Sequence, residues 1–86
     1  MTTKKAEKKL EKLTGKKVTV QNGRRSVRLN NGYIISFSNN GKETETSEAV
    51  CFHTRRETDV SDSMTDYFAG TFHDNLTQAV KFVINR

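Results

Sequence analysis

Residues 17–37 read KVTVQNGRRSVRLNNGYIISF, and this stretch decides the fold. Val18 and Val20 alternate with polar residues, which is the period-two pattern of a half-buried strand. Asn22 and Gly23 form the pair preferred in a type I′ hairpin turn, because both turn positions need a positive φ. Pairing across this turn sets three residues opposite three others: Val18 with Val27, Thr19 with Ser26 and Val20 with Arg25.

A second turn follows at residues 30–32, which read Asn-Asn-Gly. We interpret it as a three-residue loop with Gly32 in the left-handed position. A two-residue loop would turn the apolar residues of the next strand toward the basic face, so the three-residue loop is preferred. The predicted pairs are Leu29 with Tyr33 and Val27 with Ile35, with Phe37 on the same inner face. The sequence therefore predicts a three-stranded antiparallel meander over residues 17–38.

A helix is predicted before the meander, over residues 3–14. Ala6, Leu10 and Leu13 lie at helical spacing and form a narrow apolar stripe. A threonine at position 2 or 3 can cap the first turn, and Gly15 stands where a left-handed C-terminal cap is needed. The remaining faces are rich in lysine, so this helix depends on docking against the rest of the chain.

A second helix is predicted at the end of the chain, over residues 71–84. Thr71 as the N-cap, with Asp74 three residues later, resembles a capping box. The apolar stripe that follows contains Phe72, Leu76, Ala79, Val80 and Val83. We expect this stripe to cover the inner face of the sheet.

A fourth strand is predicted over residues 48–56. Simple alternation places Val50 and Phe52 on one face of this strand, and Cys51 and His53 on the other. The polar residues that follow predict a loop over 57–63.

The length of 86 residues allows one domain, residues 1–86, with a modest core. The hydrophobic fraction of 33% is low, but these residues fall into short patterned runs, which favours an ordered domain over disorder. The expected fold class is α+β: an N-terminal helix, a three- to four-stranded antiparallel meander, and a C-terminal helix packed on one sheet face.

The charge is distributed very unevenly along the chain. Ten of the fifteen basic residues lie in the first 28 positions beside two acids, so this part carries a formal charge of +8 and the remainder −3. Such asymmetry favours a polyanionic partner whose binding salt would weaken. If the first helix lies against the hairpin, we expect their charges to merge into one surface. The predicted nucleic-acid contacts are Lys8, Lys9, Lys12, Lys16, Lys17, Arg24, Arg25 and Arg28. The alternative is a surface that serves only solubility.

Two nucleic-acid-binding architectures are compatible with the predicted order of elements. A helix, three antiparallel strands and a second helix is similar to the order in double-stranded RNA-binding domains. Those domains carry a lysine cluster at the start of the second helix, whereas residues 71–78 contain no basic residue, so the chain is not assigned to that family. In the second architecture a three-stranded sheet enters the DNA major groove with a helix behind it, which suits Lys17, Arg24 and Arg28 better.

Few residues in the chain suggest catalysis or metal binding. Cys51 and His53 lie two apart on a predicted strand, and His73 and Asp74 lie near the last helix. A structural zinc site usually needs four nitrogen or sulfur ligands in close pairs, and this chain offers three candidates at most. A nucleophile, base and orienting acid can be drawn from Cys51, His53 and Asp59, but no glycine-rich oxyanion cradle lies nearby. We therefore expect a non-enzymatic protein without a metal or cofactor.

Three aromatic residues lie within six positions: Tyr67, Phe68 and Phe72. They are candidates for anchoring a partner protein, with Tyr67 and Phe68 as the predicted contacts, or for stacking on bases. A hydrophobic plug at one end of the core is the more conservative interpretation. The rival function is accordingly a protein-binding regulator or inhibitor, such as a phage-encoded accessory protein.

The setting of the protein is also open to prediction. One cysteine and no apolar run near 20 residues predict a cytoplasmic protein outside the membrane. Met1 leads directly into helix-forming sequence, which predicts a complete small protein. A homodimer is compatible with either function, because edge strands and a thin core favour association.

Overall fold

The computed structural model describes residues 1–21, 23–39, 46–57 and 70–86. It confirms the α+β class, with an N-terminal helix, an antiparallel meander sheet and a C-terminal helix packed on that sheet. In chain order the elements are α1 (Thr3–Thr14), β1 (Thr19–Gln21), β2 (Arg24–Arg28), β3 (Tyr33–Asn39), β4 (Ala49–Arg56), β5 (Thr71–His73) and α2 (Leu76–Val83). The strands are hydrogen-bonded in the order β1-β2-β3-β4-β5.

Helix α1 begins and ends as its sequence predicts. The Thr2 hydroxyl accepts a hydrogen bond from the backbone N–H of Lys5 at 3.3 Å, which identifies the N-cap. Gly15 has a φ of 71°, and its N–H donates to the carbonyl of Glu11 at 2.8 Å. Ala6 and Leu10 are fully buried and hold the helix on the core, whereas Leu13, the third residue of the predicted stripe, is 43% exposed.

The meander has the predicted register. Gly32 takes a φ of 86°, as the three-residue loop requires. The observed pairs include Thr19 with Ser26, Val20 with Arg25 and Val27 with Ile35. The Leu29 N–H donates to the Tyr33 carbonyl at 2.8 Å, which closes the second turn. Phe37 is fully buried on the inner face, so the turn that keeps apolar residues together is the one adopted.

Strand β4 departs from simple alternation. A β-bulge opposite Phe37 lies between the pairs of Ser36 with His53 and Ser38 with Val50. Cys51 within it has a φ of 58°. The extra residue reverses the sheet face to which the β4 residues before the bulge point. Val50 therefore shares the outer face with His53, whereas Phe52 points inward, and the prediction that Val50 and Phe52 share a face is wrong.

The start of the last helix was also predicted wrongly. Residues 71–73 form β5, which pairs with β4, and the helix begins at Leu76. Asn75 is the N-cap, and its side-chain oxygen accepts from the backbone N–H of Gln78 at 2.9 Å. Thr71 occupies a strand because pairing with Thr54 satisfies its backbone, which the local capping pattern could not anticipate.

Both helices lie on the inner face of the sheet, and the core lies between them and the strands. The buried apolar residues are Ala6, Leu10, Val27, Leu29, Ile35, Phe37, Ala49, Phe52, Leu76, Ala79, Val80 and Val83. The turn between β2 and β3 holds the ends of both helices. Lys16 Nζ donates to Asn30 Oδ1 at 2.7 Å, and Asn31 Nδ2 donates to the Val83 carbonyl at 2.8 Å. The outer sheet face thus lies on the side away from both helices.

Several predictions fall on other parts of the chain. Tyr67, Phe68 and most of the predicted loop over 57–63 lie outside the described residues. Within the described residues, no helix has both the length and the apolar character to span a bilayer.

Candidate nucleic-acid interface

The exposed lysines of α1 form a cationic surface. Lys4, Lys8 and Lys12 follow one another at intervals of four residues, and Lys5 lies beside them. All four are exposed. Eight residues of helix correspond to about 12 Å, so the four ammonium groups line a short ridge. We call Lys4, Lys5, Lys8 and Lys12 the lysine face.

The two acids of α1 are hydrogen-bonded to groups of the sheet side. Glu7 Oε1 accepts from Arg25 Nε at 2.8 Å, and Glu11 Oε2 accepts from the backbone N–H of Val18 at 2.9 Å. Both carboxylates are therefore held by β2 and by the segment before β1. Both acids thus direct their hydrogen bonds to the sheet, while Lys5, Lys8 and Lys12 stay exposed on the helix.

The lysine face carries an electrostatic cost for the isolated protein. The first turn of α1 contains lysines and no acid, although a helix N-terminus favours negative charge. Lys8 also lies four residues from both Lys4 and Lys12, a spacing at which like charges destabilise a helix by about 0.2–0.5 kcal/mol per pair. A bound polyanion would relieve both effects, since it supplies negative charge along the same ridge.

The other lysines that the sequence predicted as contacts have different surroundings. Lys9 is half-buried between the helices, where its Nζ donates to Thr77 Oγ1 at 2.7 Å. Lys16 is half-buried and bonded to Asn30, as described above. Lys17 is exposed in the segment that joins α1 to β1. Of these three, Lys17 is the one whose side chain is exposed.

Arg25 is part of the fold's interior. It lies on the inner face of β2, and its side chain is only 9% exposed. Besides the ion pair with Glu7, its Nη1 donates to the Gly23 carbonyl at 3.1 Å and to Asn39 Oδ1. A guanidinium buried in this way must be paired, and these acceptors supply the pairing. Arg25 therefore connects α1 to the sheet and has little surface for a ligand.

Arg24 and Arg28 lie on the opposite side of the molecule from α1. Side chains alternate along β2, so the neighbours of the inward-facing Arg25 and Val27 point to the outer face. Arg24 Nη2 donates to Ser36 Oγ at 2.7 Å, and Arg28 Nε lies 2.9 Å from Glu57 Oε1 in an exposed ion pair. The expected single surface of helix and hairpin cations is therefore not formed.

Cys51 and His53 differ in their surroundings. Cys51 is exposed at the bulge, whereas His53 is buried on the outer face. Among the described residues, no group of three or more histidines, cysteines and acids is placed to hold a metal ion.

His73 lies at the sheet edge, where its Nε2 is 2.7 Å from Thr54 Oγ1 and its ring packs on Phe82 with centroids 4.9 Å apart. Burial lowers the pKa of His73 below its ordinary value of 6.5, and the nearby Asp74 carboxylate acts in the opposite direction. Thr54 and Phe82 account for its position in the fold.

A cavity of about 460 Å³ lies beside the N-terminus of α2. Its lining includes the cations Lys9 and Lys81 and the acids Glu48 and Asp74. Glu48 is paired with the terminal ammonium of Met1. The lining thus mixes three cationic groups, those of Met1, Lys9 and Lys81, with two carboxylates, so its charge does not single out one class of ligand.

Comparison of the chain with protein-family models, with curated proteins and with solved structures finds no match.

Proposed function

We propose that this protein is a small, non-enzymatic nucleic-acid-binding module that holds the phosphate backbone through the lysine face of α1. The observation that carries the proposal is the separation of charge on α1. Four lysines are exposed along one ridge, while Glu7 and Glu11 are both held on the sheet side. A surface of this kind attracts polyanions and releases their condensed counterions on binding.

The lysine face favours binding of low sequence specificity. A lysine ammonium is a compact point charge on a flexible stem, without the rigid fork through which arginine reads a guanine. Phosphate contacts fix position and carry no direct sequence information. We therefore expect similar affinities for duplexes of unrelated sequence.

Neutralising three of these lysines tests the proposal. The variant carries Lys5→Gln, Lys8→Gln and Lys12→Gln, which removes charge but keeps good helix formers. Affinity for a labelled duplex of about 20 base pairs is measured by fluorescence anisotropy at about 0.1 M salt. Each lost phosphate contact corresponds to roughly 1.2 kcal/mol of counterion release at that salt, so we expect a loss of about 100- to 500-fold.

A second triple variant separates the lysine face from net charge. It removes three exposed cations from other parts of the molecule: Arg56→Gln, Lys81→Gln and Arg86→Gln. Both variants have the same net charge, yet the control cations lie off the ridge. We expect less than a roughly fivefold loss for the control because screening limits the reach of distant charges. Equal losses for the two variants would contradict the proposal, and so would recovery of one stoichiometric protein partner with no duplex binding.

Nucleic acid as the ligand fits the cytoplasmic location expected from the sequence, and also the role of an accessory protein of the kind that phages encode.

Edge strand β1 is short and all three of its residues are exposed, so pairing of two copies through this edge is sterically open. Sedimentation with and without duplex would report whether a homodimer forms.

A further inference from the structure

Phe72 presents a large aromatic side chain on the outer face of the sheet. It lies in the middle of β5, opposite His53 of β4, and is 49% exposed. His53 is itself only 4% exposed, and the two ring centroids are 4.7 Å apart. The phenyl ring is thus supported by the sheet while much of it faces solvent.

The residues around Phe72 form an uncharged row with arginine beside it. Cross-strand pairing aligns Ser26, Ser36, His53 and Phe72 in one row across four strands. The adjacent row contains Arg28, Ile34 and Arg55. Arg55 lies two residues beyond His53 on the same face, so it is a diagonal neighbour of Phe72 at about 7–8 Å. A guanidinium side chain can span that distance.

The charge of the outer face is positive over the described strands. The register assigns Arg24, Arg28 and Arg55 to this face, and none of the other residues that it assigns there is acidic. Glu57, which follows β4, pairs with Arg28. Arg55 is the arginine of this face that lies diagonal to Phe72, so an anionic group beside the phenyl ring would meet a cation.

We propose that the outer face binds single-stranded nucleic acid, with one base stacked on Phe72 and an adjoining phosphate held by Arg55. Every base has an aromatic face, so stacking of this kind is sequence-tolerant. In a duplex the bases are already stacked on one another and cannot reach a side chain that lies in a sheet. This stacking site lies on the opposite side of the sheet from α1, so it is distinct from the lysine face.

The test compares single-stranded and duplex DNA of equal length. The probes are a labelled oligothymidylate of about ten nucleotides and the corresponding duplex, with affinity read by anisotropy. Phe72→Ala is expected to weaken oligothymidylate binding by roughly 5- to 150-fold, which corresponds to about 1–3 kcal/mol for one stacked base. Binding of the duplex should not change. Phe72→Tyr keeps an aromatic face and should retain the affinity for the single strand.

Phe82→Ala provides the matched control. Phe82 is also exposed, at 36%, but it lies on α2 against His73 and beneath the Arg86 guanidinium. Loss of this aromatic ring should leave oligothymidylate binding unchanged. Phe72→Leu retains apolar volume without an aromatic face. It should therefore bind oligothymidylate as weakly as Phe72→Ala, even if its thermal unfolding matches that of the wild type.

Three results would overturn the proposal: no binding of oligothymidylate, equal losses for Phe72→Ala and Phe82→Ala, or full affinity in Phe72→Leu. The stacking site and the lysine face can fail independently. The triple lysine variant should bind the single strand more weakly, but Phe72→Ala should reduce its affinity by the same factor as in the wild type. If the triple lysine variant bound the duplex as tightly as the wild type, while Phe72→Ala still weakened binding of the single strand, the lysine face would be refuted and the stacking site would not.

Discussion

Replacing Arg25 by alanine should destabilise the fold far more than the same change at Arg24. Arg25 joins Glu7 of α1, the Gly23 carbonyl and Asn39 of β3 through one buried guanidinium. Breaking a buried ion pair from one side typically costs about 3–5 kcal/mol. The Glu7 side chain retains 30% exposure, so water can solvate its carboxylate after the substitution. We therefore expect a loss of about 2–3 kcal/mol in the free energy of unfolding.

The matched control is the adjacent residue on the other face. Arg24 is half-exposed and donates to Ser36, so Arg24→Ala should cost less than about 1 kcal/mol. Urea unfolding followed by far-UV circular dichroism at neutral pH measures both values. In a domain of this size the Arg25 variant should also unfold about 10–20 °C lower.

A paired substitution distinguishes loss of the ion pair from loss of packing. Arg25→Met retains most of the side-chain volume, and Glu7→Gln removes the carboxylate left behind, so the double variant should recover most of the stability that Arg25→Ala loses. Equal stabilities of Arg25→Ala and Arg24→Ala would refute the interior role of Arg25. Arg25 would then again be a candidate for ligand contact.

Two further predictions concern the sheet edge. Gly70→Ala should destabilise the protein by at least about 2 kcal/mol, because Gly70 has a φ of 101° and a Cβ there would lie 2.2 Å from the Thr54 carbonyl oxygen. Gly32→Ala, where φ is 86° and no atom lies within 4 Å of the added Cβ, should cost about 1 kcal/mol in the same urea titration; equal costs would refute the steric argument. Burial lowers the pKa of His73 despite the opposing charge of Asp74. As the pH falls, His73 is therefore protonated in the unfolded chain at a higher pH than in the folded protein. The contribution of neutral His73 to the free energy of unfolding is thus complete above pH 6.5 and is lost as the pH falls below that value. His73→Gln should remove this part of the pH dependence of unfolding between about pH 5 and 7.5, and an unchanged pH profile would contradict the assignment.

The parts of the fold predicted correctly depend on local chemistry. Gly15 and Gly32 stand where a left-handed residue is needed, and both adopt it. The pairing of Val27 with Ile35 follows from the turn and from the need to keep apolar residues on one face. These features involve residues close in sequence, so a short window contains the information that determines them.

The parts predicted wrongly depend on contacts between distant residues. Thr71 resembles a helix cap in its own sequence, but pairing with β4 makes it a strand residue. The bulge at Cys51 reverses the alternation of β4, and no residue type nearby signals it.

The candidate site was predicted only in part. Lys8 and Lys12 are exposed together, as expected for a helix rich in lysine. Arg25 was predicted as a contact because it belongs to the basic N-terminal cluster, yet its partner Glu7 lies 18 residues away and makes burial possible. Charge counting shows how many cations a segment has, but the register and the ion pairs decide which of them reach solvent.

The central claim is that the lysine face of α1 binds phosphates, and the salt dependence of duplex affinity tests it most directly. If all four lysines contact phosphates, a plot of log affinity against log salt concentration should have a slope of about −3.6 for the wild type. The variant with Lys5, Lys8 and Lys12 replaced by glutamine should give a slope near −0.9. Identical slopes for the two proteins would show that these lysines make no phosphate contacts and would contradict the account.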